Sequence, residues 1–391
     1  MGPGQLVRGD GHTHREDSML RSVCRRTFLA ACAAVAMHTF PAAAAPLDVI
    51  DVLGRKVTVA MPVKRIMLGF YFEDFLAVGG EQAMDRVVGI SKAAWKDWRP
   101  QNWEVHLAKR PSLDKLVDVG EVEVNTFSIE KVIALKPDLV ILADWQVKGI
   151  GADFNRLIQL GIPVIVTDYH AQTLERHLAS TRVVGQVLGT ESRAAAINKE
   201  YEDTVTLIRE RIAKAGKPAP RIYIELGNKG PAEQGVSYGD HMWGAIALTA
   251  GGANITREVV KTWAPVAPEQ VLAAKPDVIL IAGSEWRKHA TAQLMGEGVS
   301  PDEARTRLAA FTRRPGWSDL PAVKTNRVHA VYHGASRTIP DHASLQYVAK
   351  VLYPELFADL DPETTYQNFY RKYLPIEPKG TFMINLAGGK V

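Results

Sequence analysis

The chain has 391 residues, enough at about 150 residues per domain for two domains, and its 46% hydrophobic and 23% charged residues are those of an ordinary globular protein. That composition excludes a disordered chain, a collagen-like repeat and a coiled-coil rod. Formal net charge is +4; without the five arginines and three acids of residues 1–44 the balance is 42 basic to 40 acidic, too even for a duplex-binding surface. Nucleic acid is excluded as a partner.

Arg25-Arg26-Thr27-Phe28-Leu29 leads into an apolar stretch at 30–37 and then Phe40-Pro41-Ala42-Ala43-Ala44-Ala45. A charged start, an apolar stretch and a small-residue end make a secretory signal. Paired arginines before Phe-Leu resemble its twin-arginine form, which exports folded proteins. Residues 1–44 are therefore expected to be a signal peptide cleaved after Ala44, since a cut after Ala45 would leave Pro46 at the new N-terminus. Met19 stands as an alternative start. His38 and Pro41 interrupt the apolar run, which falls short of the ~20 residues of a membrane span. Cys24 and Cys32 both fall inside the signal, so the mature chain is expected to hold no disulfide and no thiolate metal site. Leu29-Ala30-Ala31-Cys32 resembles a lipoprotein cleavage box. However, only five residues separate Arg26 from Cys32, below the ~7–15 of an apolar signal region. Anchoring at Cys32 is the weaker alternative.

Short apolar runs rich in Val and Ile stand at 65–69, 87–90, 139–143 and 164–167, and after a break at 221–226, 278–282 and 328–332. Each is followed by a helical stretch. Such strands predict parallel sheets covered on both faces, with ligands beyond the strands' carboxyl ends. Residues 127–143 and 266–282 repeat each other at an offset of 139. Glu130 and Glu269, Val132 and Val271, Ala134 and Ala273, Lys-Pro-Asp at 136–138 and 275–277, and Ala143 and Ala282 coincide. Each copy predicts a short helix opened by Glu, a stop enforced by Pro, and a buried strand. Two similar lobes are expected.

Between them Ile197, Tyr201, Val205, Ile208 and Ile212 form the stripe of one long helix, Glu191–Ala215. Thr190 is expected to cap its start, and Gly216-Lys217-Pro218 to stop it. At about 1.5 Å per residue it is roughly 37 Å long, enough to cross a junction between lobes.

Further marks stand in order along the chain. They are Val52-Leu53-Gly54-Arg55-Lys56-Val57 with Pro62 and Arg65-Ile66, then Val87-Val88-Gly89, and both Glu-led units. Ala250-Gly251-Gly252-Ala253-Asn254-Ile255 and Ala349-Lys350-Val351-Leu352-Tyr353-Pro354-Glu355-Leu356-Phe357 come next. Together they resemble the periplasmic substrate-binding proteins of ABC importers for iron–siderophore complexes, haem and vitamin B12. The resemblance runs from about Leu47 to the C-terminus. Phe357-Ala358-Asp359-Leu360-Asp361-Pro362, Tyr373-Leu374-Pro375 and Gly380-Thr381-Phe382 fit its iron-complex branch best. It implies an α/β fold of two similar lobes with mainly parallel sheets, joined by one long helix: an N-terminal lobe at 45–171, a connecting helical segment at 172–217 and a C-terminal lobe at 218–391. It also implies a non-enzymatic, monomeric carrier. That carrier would take an iron–siderophore complex, or else vitamin B12, haem or molybdate, to an inner-membrane ABC permease with its ATPase. The metal complex is the ligand, and no cofactor is implied.

In that family the positions of Glu130 and Glu269 dock onto permease arginines, one carboxylate per subunit of a two-fold partner. A helix-opening Glu also complements the positive helix N-terminus, for ~0.3–1 kcal/mol. Because each precedes its strand, both are expected at the sheet ends away from the ligand loops. The cleft is expected in the segments just after the strands: Tyr71, Trp95, Trp98, Trp145 and His170, then Tyr238, His241, Trp263, Trp286, His333 and Arg337. Aromatics there suit a planar or aryl-rich ligand, and about half are expected simply to pack the lobes. The vitamin B12-binding member of the family carries a Trp six residues before the equivalent Glu, which singles out Trp263. Lys92, Lys96, Lys148, Lys229, Arg287 and Arg337 would complement an anionic ferric complex. Where a siderophore leaves the shell unsaturated, the resemblance implies a Tyr and a His as Fe(III) ligands; the candidates are Tyr238 and His333, with His170 and His241 as alternatives. No third ligand has fixed spacing, so no bare-metal site is expected.

A different class enters through Gly235-Val236-Ser237-Tyr238-Gly239, which matches the nucleophile elbow of a secreted serine hydrolase using Ser237. The elbow needs a buried strand directly before it, whereas residues 228–234 are polar and contain Gly230-Pro231. No phosphate-cradling glycine loop or zinc pattern occurs.

Overall fold

The computed structural model describes Met1, residues 45–171 and residues 173–388. The twin-arginine pair, both cysteines and the expected cleavage site at Ala44 lie outside the described residues. Strands β1 (Leu47–Ile50) and β2 (Lys56–Val59) form an antiparallel hairpin that leads into the first sheet. That sheet contains β3 (Ile66–Leu68), β4 (Val87–Ile90), β5 (Val117–Asp118), β6 (Leu139–Ala143) and β7 (Val164–Thr167). Its order is β5-β4-β3-β6-β7 and every pair is parallel. All residues of β3, β6 and β7 are buried, as both faces of the sheet carry helices.

The second sheet is built on β8 (Arg221–Leu226), β12 (Val278–Gly283) and β14 (Val328–Tyr332), which pair in parallel. With β9 (Val236–Tyr238), β11 (Trp263–Pro265) and β16 (Met383–Asn385) its order is β11-β9-β8-β12-β14-β16, with β10 (Ala253–Asn254) also on β8; β13 (Gly296–Glu297) and β15 (Gly380–Thr381) form a separate antiparallel pair. Here the periphery departs from the parallel expectation. β9 pairs antiparallel with β8, β11 antiparallel with β9, and β16 antiparallel with β14.

The sequence repeat is also a structural one. Helices Ile129–Ala134 and Pro268–Ala274 end at Lys136 and Lys275, which both take φ 45° before a proline. A residue before proline is kept out of the right-handed helical region, so both chains turn there into a buried strand, β6 or β12.

The long helix Glu191–Ala215 is present, closed by Gly216 at φ 58°. Ile197, Tyr201, Val205 and Ile208 of its stripe are buried. Thr190 does not cap it by its side chain. Its N–H instead binds the carbonyl of Gly185 at 2.8 Å, finishing the left-handed turn at Gly189 that ends the preceding helix, Leu174–Leu188. The two helices cross so closely that a Cβ on Gly185 would lie 2.5 Å from that of Ala194. Arg193 ties the long helix to both lobes, with Nε donating to Ala77 O at 2.6 Å and Nη2 to Tyr373 O at 2.7 Å. Phe75 and Ile141 of the first lobe, Val184 and Ile197 of the connecting helices, and Ile279 and Tyr370 of the second share one apolar core. Residues Pro46–Val391 form one compact unit.

Candidate ligand cleft

The carboxyl ends of both sheets face a cavity of about 470 Å³. Trp98 and Trp145 wall it from the first lobe, Trp263 and Trp286 from the second, and His170, His241, His333 and Arg337 also reach it. Each lies in a segment that follows, or in Trp263 begins, a strand edge, where an open parallel sheet leaves backbone groups and space for a ligand. The first lobe's wall is assembled on Phe70, the residue after Gly69. Its ring lies 5.4 Å from those of Trp145 and His170 and 6.2 Å from Trp98. Gln146 holds this floor in place. Its Oε1 accepts the N–H of Phe70 and of Ala143, both at 3.1 Å, and its Nε2 donates to Ser91 Oγ at 3.2 Å. Gly69 leaves room for this amide, since a Cβ there would fall 2.2 Å from Gln146 Oε1 and push it out of place.

Two histidines are each held from behind by a buried tyrosine. Tyr71 Oη lies 2.6 Å from His170 Nδ1, and Tyr238 Oη lies 3.1 Å from His333 Nδ1. The Tyr71 oxygen already accepts the Tyr169 N–H at 3.0 Å, so its own proton can go to Nδ1. That tautomer puts the His170 proton on Nε2, the nitrogen turned away from the tyrosine, and makes it a donor. Burial keeps both imidazoles neutral, pushing their pKa values well below the ordinary range, with Arg337 adding to the effect. The turn that presents His170 is set by Asp168, whose Oδ1 accepts the N–H groups of His170 and Ala171 at 2.9 and 3.1 Å.

The charges lining the cavity nearly cancel. Asp144 is met by Lys148 at 2.6 Å and Asp168 by Arg176 at 2.5 Å. Glu123 stands exposed at the rim. Arg337 is the exception: it is 8% exposed, and among the described residues it makes no ion pair and its Nε has no hydrogen-bond partner. Its guanidinium packs over Phe70 at 5.2 Å and Trp98 at 5.9 Å. Burial, with repulsion from Arg99 and against the attraction of Glu123 across the cavity, pushes its pKa down to about 10. A buried cation so placed is costly unless an anion reaches it. Among the described residues no cluster of three or more His, Cys, Asp or Glu could hold a metal ion.

A profile of periplasmic binding proteins matches residues 68–332, which carry most strands of both sheets and every residue of the cavity named above except His333 and Arg337. The chain belongs to the periplasmic binding protein family. It is 37% identical to the TroA-like periplasmic binding protein FepB of Veillonella parvula, whose crystal structure superposes with a TM-score of 0.82 over 87% of this chain and 100% of that one. It is 29% identical to a cobalamin-binding protein of Halobacterium salinarum over 223 residues, 56% of each chain. An uncharacterized ABC transporter substrate-binding lipoprotein of Bacillus subtilis is 23% identical over 80% of this chain and 88% of its own length. The match thus spans little more than half of the cobalamin-binding relative.

Of the residues expected in the cleft of this periplasmic binding protein, Trp145, His170, Trp263, Trp286, His333 and Arg337 line the cavity, as do Trp98, His241 and Lys148. Tyr71, Trp95 and Tyr238 do not. Trp95 is buried, its Nε1 donating to Phe70 O at 2.8 Å, and the two tyrosines stand behind the histidines. Tyr238 therefore turns its hydroxyl to His333 instead of to a ligand, and burial raises its pKa far above the ordinary phenol value. Several expected cations are engaged elsewhere: Lys92 with Asp114 O, Lys229 with Glu233 and Arg287 with Glu303. Phe70, Glu123, Asp144 and Asp168 were not foreseen; only the position of Phe70 directly after a predicted strand signalled it. A second cavity, of about 430 Å³, opens between Tyr347, Lys350 and Thr381 and contains none of the expected residues.

Glu130 and Glu269 lie on the cavity's side of the sheets, contrary to the expectation from chain order. Ser128 donates its N–H to Val119 O, and Lys131 Nζ reaches the carbonyl of Asp118, the last residue of β5. The helix therefore starts at the carboxyl end of the sheet and runs back to the start of β6. Its counterpart Pro268–Ala274 likewise follows β11, whose Trp263 lines the cavity. A helix antiparallel to the strand after it begins beside that strand's end, not its start. Both carboxylates are exposed, and Glu130 has Arg156 3.4 Å away.

Ser237 is fully buried within β9, and its hydroxyl donates to Ile224 O at 2.5 Å and meets Thr256 Oγ1 at 3.0 Å. That places it inside the sheet, away from the cavity lining, where a nucleophile elbow would need it exposed.

Proposed function

We propose that this chain is the periplasmic carrier of an ABC importer, capturing a ferric siderophore between its lobes and delivering it to an inner-membrane permease with its ATPase. The observation that carries the reading is Arg337, a buried guanidinium without an ion-pair partner among the described residues, on the floor of an aromatic cavity. An anionic, aryl-rich complex would supply the missing charge and stack between the tryptophans. The metal would arrive in its own chelator, with the His170 and His333 imidazoles bearing on the complex's edge.

A second reading is cobalamin. The near cancellation of charge around Glu123, Asp144 and Asp168 suits a ligand of low net charge, and a relative is named as cobalamin-binding. Native mass spectrometry of protein from iron-limited cells, with tryptophan quenching by a ferric siderophore, cyanocobalamin and haem, separates these ligands. Binding of none of them would remove the siderophore and cobalamin readings. Export is proposed to use the twin-arginine signal and cleavage after Ala44. Replacing Arg25-Arg26 by Lys-Lys should stop accumulation in the periplasm, and normal accumulation would refute that route. Among the described residues no helix is long and apolar enough to cross a membrane.

A further inference from the structure

We propose that Asp74 and Glu285 form a reciprocal latch, each lobe sending a buried carboxylate across the junction to hold backbone N–H groups of the other. Asp74, on helix Phe72–Gly79 of the first lobe, accepts the Ile339 N–H at 2.7 Å and the Thr338 hydroxyl at 2.8 Å. In return, Glu285 of the second lobe accepts the N–H groups of Gln101 and Asn102 at 2.7 and 3.3 Å. These are orphan donors in the first turn of helix Pro100–Lys109, so a carboxylate from one lobe caps a helix of the other. Bonds from backbone N–H groups to a fixed carboxyl oxygen set direction as well as distance, and both carboxyls are buried.

The latch is threaded through the cavity wall. Ser284 and Trp286, on either side of Glu285, both line the cavity; Arg337 precedes Thr338; and Trp98 lies one turn before Gln101. Whatever sets the lobe separation there also sets the spacing between Trp98 and Trp286. Arg99 is the shared countercharge. It is buried beside Trp95 at 4.4 Å, and its Nε and Nη2 have no hydrogen-bond partner among the described residues. Glu73 faces Asp74 from the same helix but is occupied by His106, Asn102 and Tyr370. Tyr169 lies near Asp74, and Tyr332 and Glu297 lie near Glu285.

Burial pushes both carboxyls up to about 7, against the lowering effect of the N–H groups they accept. A carboxyl whose pKa is higher when latched than when solvated binds its proton more tightly in the latched state. Closure is therefore strongest in acid, weakens as pH rises toward 7, and levels off above it. Any effect on ligand release rests on reading the cavity as the ligand site; the latch itself does not.

The test uses the full-length, unliganded mature protein and amide hydrogen exchange. Asp74→Ala should speed exchange at Ile339 by about tenfold and also at Gln101 and Asn102, which Asp74 does not touch. Glu285→Ala should do the converse. Amides of Val140 and Ile279, in the sheet cores, should stay protected. Asp74→Asn and Glu285→Gln keep an acceptor, so they should keep protection and lose the pH dependence; they carry the test if the alanine variants fail to fold. Acceleration confined to the amides that each carboxylate touches, or an unchanged pH profile in the amide variants, would overturn the latch. Either result can be read without ligand, so it is separate from any failure of the binding reading.

Discussion

Asp138 and Asp277 hold the same station in the two lobes, 139 residues apart. Asp138 accepts the N–H groups of Lys64 and Arg65 at 2.8 Å, and Asp277 accepts the N–H of Arg221 at 2.8 Å. The arginines match as well: Arg65 Nη2 donates to Leu135 O at 2.7 Å, and Arg221 Nη1 donates to Ala274 O at 3.1 Å. Each device closes a helix end and pins the start of the neighbouring strand. Replacing either aspartate with Ala should lower stability by about 1 kcal/mol, the net worth of such bonds at a site that water can reach. Denaturant midpoints measure it. Arg221 also pairs with the Asp277 carboxylate, at 2.9 Å, and holds its pKa below the ordinary value. A lowered carboxylate contributes stability above its unfolded pKa and loses it as pH falls through the folded one. Asp277→Ala should therefore flatten the acid limb of the stability curve. An unchanged acid limb would argue against the pairing.

Much of the scaffold was legible because buried strands write themselves as unbroken apolar runs. β4, β6, β7, β8 and β14 appear at the residues read from the sequence. The short antiparallel strands β9, β11 and β16 were not legible, since three residues carry no periodicity and their pairing is decided by tertiary contact. In the cleft, residue type after a strand marked Trp145, His170, Trp286 and Arg337, but depth was invisible. Tyr71 and Tyr238 sit one layer behind the histidines, and no local pattern separates that layer from the lining. The glutamates failed for another reason. Their short helices are legible from the Glu-led pattern, but chain order alone does not reveal that a helix antiparallel to the next strand begins beside that strand's far end.

Arg337 should trade stability for binding. Its guanidinium is buried without a contact ion pair among the described residues and is only partly offset by the more distant Glu123, so Arg337→Gln removes a poorly compensated charge. The unliganded protein should gain about 1 kcal/mol while affinity for an anionic ligand falls. Thermal melting and equilibrium titration on the same preparation measure both. A variant that loses stability and keeps affinity would mean that the arginine is structural.

Trp263 and Trp95 separate lining from packing. Trp263 is 46% exposed at the cavity mouth, and a ligand would bury what remains of its indole. Trp263→Ala should weaken binding by at least about 1 kcal/mol and remove part of the fluorescence quenching on titration. Trp95→Phe, which loses the bond to Phe70 O, should instead cost about 1–3 kcal/mol of stability with affinity nearly kept. Wild-type affinity in Trp263→Ala would move the ligand off this wall.

Glu130 and Glu269 separate capture from delivery. They sit at the starts of equivalent helices, exposed, one per lobe, on the side of the sheets toward which the cavity opens. A ligand handed over from that mouth would leave between them, so a permease with two like subunits could present one arginine to each. Neither glutamate lines the cavity, so replacing both with Ala should leave solution affinity unchanged. Uptake and ligand-stimulated ATP hydrolysis in a reconstituted transporter should fall. Replacing both with Arg should lower them further, because like charges facing each other cost more than a missing pair. Single variants should be milder, since the other lobe still docks. The competing account is local: each Glu complements its helix N-terminus, and Glu130 is held below the ordinary carboxylate pKa by a backbone N–H, with Ser128 and Arg156 contributing. On that account the double Arg variant would lose a little thermal stability and transport as well as the wild type. Full transport by that variant would leave the two residues as helix starts and nothing more.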